Sequence, residues 1–175
     1  MLKERIINLL RKHSLSDKLL FEFFSNENET KEAIKELVEE GRIVKVRKEY
    51  YIPEDLGLIK GTIVSIKENF SFAKITDEED VYIDNKNLNS AFLNDVVYLL
   101  KDKHSRRDEY IVYSIISRSR KTIVGEIKSL YGQFVLDVQD IAPSKMTFVI
   151  NPTPIKLFEG YIALCSIGKQ TKNTT

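Results

Sequence analysis

The sequence predicts an α+β chain of several small domains, helices first and small antiparallel β-barrels after. Three observations carry that expectation. Apolar residues recur with a period of 3.6 through the first 53 residues and with a period of two from residue 58 onward. "GTIVSIKENFSFAKI" from Gly61 and "GEIKSLYGQFVLDV" from Gly125 lie 64 residues apart and share the template G-x-I-x-S-[I/L]-x-x-[N/Q]-F. Turn residues break the second region into short alternating segments, the pattern of linked antiparallel strands.

Leu2, Ile6, Leu9 and Leu10 form an apolar stripe, with Lys3, Glu4, Arg11 and Lys12 on the other face, which predicts a helix over 2–12. Ser16 is the N-cap of a second, short helix through "DKLLFEFF". A third helix is expected from Asn28 or Thr30, burying Ala33, Ile34, Leu37 and Val38 and stopping at Gly41, where a left-handed residue suits a helix end. "RIVKVRKEYYIP" alternates and halts at Pro53, so it reads as a hairpin. Three helices and a two-stranded wing make residues 1–53 a winged helix-turn-helix domain.

Residues 54–57 read as a linker. Strands are expected at 58–66, 70–76, 80–84, 94–101 and 110–118, completing a first barrel over 58–120. Further strands at 122–130, 133–138, 146–151 and 158–166 form a second barrel over 121–168 that lacks its last strand. "LNDVVYLL" (93–100) and "LFEGYIAL" (157–164) align at the same offset of 64. Residues 169–175, "KQTKNTT", are polar and read as a disordered tail, so the chain is expected to be a piece of something longer or a product that ends early. The open edge of an unfinished barrel is a pairing hazard.

Composition narrows the function. Hydrophobic residues make up 42% and charged residues 30%, the balance of a soluble globular chain. No apolar run approaches the roughly 18 residues of a membrane span, and "MLKERIINLLRKH" is no signal peptide. Cys165 alone permits no internal disulfide and suits a cytoplasmic protein. With His13 and His104 it builds no zinc site of familiar spacing. The net charge of +1 counts against nucleic-acid binding through bulk electrostatics, leaving local patches and stacking.

Phe70, Phe72 and Lys74 fall on one face of their strand; Ser71, Ala73 and Ile75 fall on the other. A lysine is costly to bury, so its parity puts both phenylalanines outside, and alternation of Val81 and Ile83 puts Tyr82 with them. Three rings and a lysine on an outer wall form a platform on which bases stack. The bland alternative is a half-buried strand whose rings pack under a neighbouring domain.

"NFSFAKI" followed by "DVYIDNKNL" resembles the two nucleic-acid motifs of cold-shock domains. In its order of parts, residues 1–168 resemble the N-terminal region of the ribonuclease R family of bacterial 3'-to-5' exoribonucleases. There a helix-turn-helix region and two cold-shock domains precede an RNB-type catalytic domain. The resemblance implies OB/cold-shock-type barrels, single-stranded and even structured RNA as partner, and the rest of a parent nuclease. It gives Phe70, Phe72 and Tyr82 the stacking role. Asn69 and Ser71 stand where cold-shock motifs have glycines, Asp84 replaces a histidine and Ser65 a tryptophan. The acidic run Asp77–Asp80 beside the rings repels phosphate, so weaker binding than that of a free cold-shock protein is expected. Of the second barrel's rings, Phe134 keeps its place and Phe148 falls on the third strand; a structural or partner-binding role is the expectation there.

The expected RNA-binding set is completed by Lys60, Lys67, Arg106 and Arg107; Lys103, Arg118, Arg120 and Lys121 are further cations that could track a backbone. The third helix is acidic, at −3 over Glu29–Glu40, and makes a poor groove reader. The wing, with Arg42, Lys45, Arg47 and Lys48 against Glu49, sums to +3 and is a second candidate contact, the plain alternative being a solvated hairpin. No catalytic residues and no metal ligands are assigned. Asp77–Asp80 reads as a turn, and the Asp-rich stretch that would hold Mg2+ in the family's catalytic domain is absent, so the chain is not expected to hydrolyse RNA alone. Two other readings remain: a stand-alone winged-helix DNA-binding regulator, and a protein-interaction module in which the rings are an interface.

Overall fold

The computed structural model describes residues 1–138 and 147–168; the tail expected at 169–175 lies outside the described residues. The chain is α+β, with three helices and three antiparallel sheets.

Helix α1 spans Leu2–Leu10 and buries Ile6, Ile7 and Leu10. Helix α2, Asp17–Phe23, is capped by the Ser16 hydroxyl, which accepts from the Leu19 N–H. Helix α3 covers Glu27–Glu39, starting earlier than expected because Asn26 caps it by accepting from the Glu29 N–H. Its buried stripe is Thr30, Ala33, Ile34 and Leu37; Val38, expected inside, lies at the edge of the stripe and is exposed. Gly41 takes φ +66°, the Gly41 N–H donates to the Val38 carbonyl at 3.0 Å and the Arg42 N–H to that of Leu37 at 2.9 Å. This is the paired closure that a left-handed residue permits.

Strands β2 (Val44–Val46) and β3 (Glu49–Tyr51) form the hairpin, turning at Arg47 and Lys48. A two-residue strand β1, Leu15–Ser16, pairs with β3 and makes the sheet three-stranded, ordered β1-β3-β2. Two residues are too few to show alternation, which is why the sequence pattern concealed it. Ile6, Leu20, Leu37 and Ile43 are fully buried between helices and sheet.

After a short 3-10 helix, Pro53–Leu56, and Gly57 at φ +71°, five strands follow. These are β4 (Leu58–Ile66), β5 (Phe70–Lys74), β6 (Asp80–Asp84), β7 (Val96–Lys101) and β8 (Tyr110–Ser117), ordered β6-β5-β4-β7-β8. A parallel bridge from Tyr82 to Glu109 joins the two edges, so the sheet curls on itself around Ile63, Ala73, Ile83, Val97, Leu99 and Val112. The last sheet contains β9 (Thr122–Leu130), β10 (Gln133–Asp137), β11 (Phe148–Val149) and β12 (Ile162–Ser166), ordered β11-β10-β9-β12. Its order repeats β6-β5-β4-β7.

Hydrogen bonds define the repeat more finely than residue matching. The Ile63 N–H donates to Asp95 O and the Asn94 N–H to Ile63 O; the Ile127 N–H donates to Tyr161 O and the Gly160 N–H to Ile127 O. Asn94 at φ +66° and Gly160 at φ +86° therefore occupy the same place. Strand register agrees, since Thr62 faces Val96 as Glu126 faces Ile162. The equivalence is 66 residues here, not the 64 of the "LNDVVYLL" alignment, so Asp95 corresponds to Tyr161 rather than to Glu159. The shared glycine has a steric cause in both copies. A Cβ on Gly61 would come 2.7 Å from Leu99 Cδ1 and 3.2 Å from Lys74 O. One on Gly125 would come 2.8 Å from Leu136 Cγ and closer still to Asp137 O.

Two joints connect the sheets. Leu58 and Tyr98 pack with Val44 of the hairpin, the Tyr98 hydroxyl donates to Ile43 O at 3.4 Å, and burial pushes its pKa up to about 12. At the other joint, Phe92 from the loop before β7 is buried with Ile123, Ile127 and Leu136 of the last sheet. Asp95, fully buried, accepts from the Phe92 N–H (2.9 Å), the Ser119 N–H (2.8 Å) and hydroxyl (3.1 Å), and Arg118 Nη1 (3.1 Å). Arg118 also donates to Ser90 O and lies over the Phe92 ring at 4.7 Å. Asn89, Ser90 and Asn94 all have positive φ, an unfavourable run that this network holds in place. No helix among the described residues is long and apolar enough to cross a membrane.

Candidate nucleic-acid interface

The outer wall of the five-stranded sheet is built by alternation. Ser71 and Ala73 on β5, and Val81 and Ile83 on β6, point inward and are buried, which turns Phe70, Phe72, Lys74 and Tyr82 outward. Register places Phe72 opposite Tyr82 and Phe70 opposite Asp84. The Phe70 and Tyr82 rings stack at 5.6 Å with 21° between planes; Phe72 meets Phe70 edge-on at 5.6 Å and Tyr82 at 6.0 Å. Each ring is half-buried by the others, so the cluster is a continuous apolar surface with open edges.

A β-bulge aims this wall. Ile63 faces Ala73, but Ser65 faces Phe72, so β4 carries Val64 as an extra residue. The bulge moves Ser65 from the inner to the outer face and leaves a small side chain beside Phe72. No such shift occurs in the last sheet, where Ile127 faces Leu136, Lys128 faces Val135 and Ser129 faces Phe134. By alternation Phe134 falls on the same side as Leu136, yet it is 36% exposed and lies outside the apolar cluster that buries Leu136, so its sequence match to Phe70 does not give it an equivalent setting. Phe148 is turned inward, against Phe92 at 5.8 Å.

Asn85, which sequence reasoning did not single out, holds the loop that presents Phe70. Its Nδ2 donates to the carbonyls of Lys67 (2.7 Å) and Glu68 (3.1 Å), its N–H donates to Asn69 O, and its Oδ1 accepts from the buried Ser71 hydroxyl at 2.6 Å. Ser71, which stands where cold-shock motifs have a glycine, thus ties the strand to this clamp. An asparagine after "VYID" is the one signal that could have indicated this clamp.

The cations divide into engaged and exposed. Lys67 is exposed on the Phe70 loop and makes no ion pair among the described residues. Lys74 lies 3.5 Å from Asp77 with both side chains well exposed, an interaction worth little. Lys86 pairs with Asp84 at 3.3 Å and offsets the carboxylate opposite Phe70. Arg106 and Arg107 are exposed in the loop ending at Glu109, which the bridge to Tyr82 brings beside the rings. Lys60 is directed away: its ammonium donates to Glu40 O at 2.9 Å and closes the end of α3. Arg118, read as a backbone tracker, is spent on Asp95.

On the wing, Arg42 pairs with Glu4 at 2.7 Å and holds that carboxyl below its usual range. Lys45 pairs with Asp17 at 2.5 Å, while the Tyr50 hydroxyl donates to the same carboxylate at 2.7 Å. Only Arg47 and Lys48 at the turn are exposed without an ion pair among the described residues, so the basic wing narrows to its tip. Among the described residues no three His, Cys, Asp or Glu side chains converge.

No protein-family model matches the chain, and no curated protein matches it in sequence. Among solved structures, the chain is similar to apo ribonuclease R of Mycoplasma genitalium, with 20% identity over 61% of this chain and a TM-score of 0.45. The same enzyme in complex with ribose-methylated single-stranded RNA matches over 45% of this chain, with 20% identity and a TM-score of 0.36. This chain spans 18% and 14% of those two chains.

Proposed function

We propose that this chain binds single-stranded RNA on the outer wall of its five-stranded sheet, as the RNA-capturing N-terminal region of a ribonuclease R-like exoribonuclease. The observation that carries the reading is the cluster of Phe70, Phe72 and Tyr82, whose centroids lie 5.6–6.0 Å apart on a surface edged by Lys67, Lys74, Arg106 and Arg107. Bases stack on such rings with little sequence preference while the cations follow the backbone. In this reading residues 1–53 are a winged helix-turn-helix, 54–57 a linker, and 58–120 and 121–168 two OB/cold-shock-type barrels. The closed strand order of the first and its repetition in the second support it. RNA held there is guided to a catalytic domain that supplies its own Mg2+, and the Arg47–Lys48 tip adds a contact for structured RNA.

The test is Phe70→Ala together with Phe72→Ala, titrated against an unstructured RNA oligomer at low salt. Affinity is expected to fall by about tenfold or more, since a stacked base is worth about 1–3 kcal/mol. Unchanged affinity in a variant that retains its circular dichroism defeats the stacking claim. Preference of the parent protein for duplex DNA would instead favour a winged-helix regulator.

A further inference from the structure

Beside Phe70 on the outer wall stands an anion that stacking does not need. Asp84 faces Phe70 across the β5–β6 pair and points outward with Tyr82, two residues before it. Side chains paired in this way lie within reach of one another. Tyr82 stacks on one face of the Phe70 ring, so a base takes the other face, with Asp84 at the flank of the ring. A carboxylate there repels the phosphates of any RNA on the wall unless it makes a contact of its own.

Asp84 is held in place with a cation next to it. Its Oδ1 accepts from the Lys86 N–H at 3.0 Å, opening the 3-10 helix Asn85–Asn87, and its Oδ2 lies 3.3 Å from Lys86 Nζ. Between the two, Asn85 ties this turn to the carbonyls of Lys67, Glu68 and Asn69. Anion, cation and the loop that presents Phe70 are therefore one fixed unit. Both charged groups remain reachable, with the Asp84 side chain 34% and that of Lys86 73% exposed. A carboxylate has about four acceptor positions and an ammonium three donors, so each keeps capacity for a ligand.

A carboxylate only accepts and an ammonium only donates, which limits the bases the pair suits. Along its pairing edge guanine offers an acceptor and then two donors: O6, N1–H and the N2 amino group. Uracil offers acceptor, donor, acceptor, which turns its O2 against the carboxylate. Cytosine and adenine put an amino donor where the ammonium needs an acceptor. Guanine alone gives Lys86 an acceptor and both oxygens of Asp84 a donor.

We infer that Asp84 and Lys86 form a guanine-reading site beside Phe70, Asp84 accepting from N1–H and the N2 amino group and Lys86 donating to O6. This preference rests on the proposed RNA-binding role of the wall and adds selectivity to rings that stack bases without it.

The test compares two single-stranded RNAs of about ten nucleotides, within the site size of one barrel. One is oligouridine; the other carries guanosine at a few spaced positions. The parent chain is expected to bind the guanosine-bearing RNA about tenfold tighter. Asp84→Asn keeps the shape and an acceptor for the Lys86 N–H while removing a negative charge. Were Asp84 merely a charge beside the wall, this variant would bind both RNAs more tightly and to the same degree. As a guanine reader it should lose about tenfold for the guanosine-bearing RNA and none for oligouridine. Lys86→Met, which leaves the Asp84 cap intact, should cut the ratio of the two affinities several-fold. Equal affinity of the parent for the two RNAs overturns the inference, as does a ratio undiminished in both variants. If Phe70→Ala with Phe72→Ala still weakens oligouridine in that case, the stacking wall stands and only its base preference falls. A parent that binds neither RNA overturns both.

Discussion

The two sheets of the repeat share a strand order and a buried glycine, yet they present different surfaces. In the first, a bulge at Val64 and a three-residue loop turn Phe70 and Phe72 outward beside Tyr82; in the second, an unbulged strand and the two-residue turn Tyr131–Gly132 put Phe134 on the same side as Leu136, exposed and outside the core. One residue of register separates a packed ring platform from an isolated exposed ring. Their surroundings differ as well. Tyr98 is buried beneath the hairpin, whereas its equivalent, Leu164, stands 70% exposed. The shared strand order supplies a scaffold, and the bulge at Val64 accompanies a packed cluster of three rings in the first copy, whereas the second leaves Tyr131, Phe134, Phe158 and Tyr161 exposed.

The sharpest way to break the comparison is at Asp95, which has no counterpart in the second sheet. Asp95→Ala leaves Arg118 and two backbone donors around a vacated carboxylate, and should cost about 3 kcal/mol in denaturant unfolding. The equivalent Tyr161→Ala should stay within about 0.5 kcal/mol. Equal losses at the two sites would show that the joint is not special to the first copy. Next come the glycines. Gly125→Ala drives a methyl into the backbone of β10 and is expected to cost about 2–3 kcal/mol, Gly61→Ala about 1–2 kcal/mol because the Leu99 side chain can yield. Thermal melts of the pair measure the order.

A smaller effect separates the ring surfaces: Phe134→Ala should change RNA affinity less than about twofold, against about tenfold for the Phe70 and Phe72 pair. A larger loss at Phe134 would place RNA on the second sheet. Smallest is Tyr98→Phe, which gives up one long hydrogen bond and should cost about 0.5 kcal/mol. Its value lies in the pH profile. The folded pKa of about 12 exceeds the unfolded value of 10.0, so the contribution is full below pH 10 and drains away as pH rises toward 12. Alkaline unfolding of Tyr98→Phe should lack that segment of the slope.

The strands of the five-stranded sheet were legible because apolar and polar residues alternate cleanly through it, and the helices because their caps and stripe are local. Placement of Phe70, Phe72, Lys74 and Tyr82 on one wall followed from the same parity. What stayed hidden depends on partners distant in the chain. The Val64 bulge is invisible without Phe72 across from it, and β1 exists only because β3 lies alongside. Lys60, Lys45 and Arg118 looked like free cations; Glu40, Asp17 and Asp95 that engage them are 20, 28 and 23 residues away. The 64-residue alignment was right on the first strand and slipped by two on the fourth, where a match of leucines outweighed hydrogen-bond position.

Phe92 belongs by sequence to the earlier copy and by packing to the later one. The core of the later copy consequently includes a ring that its own residues do not supply. A polypeptide beginning at residue 121 would lack a cornerstone, while one ending at residue 120 would keep Ser119 on Asp95 and leave Phe92 uncovered. The two copies are not beads on a string but a host and its dependant.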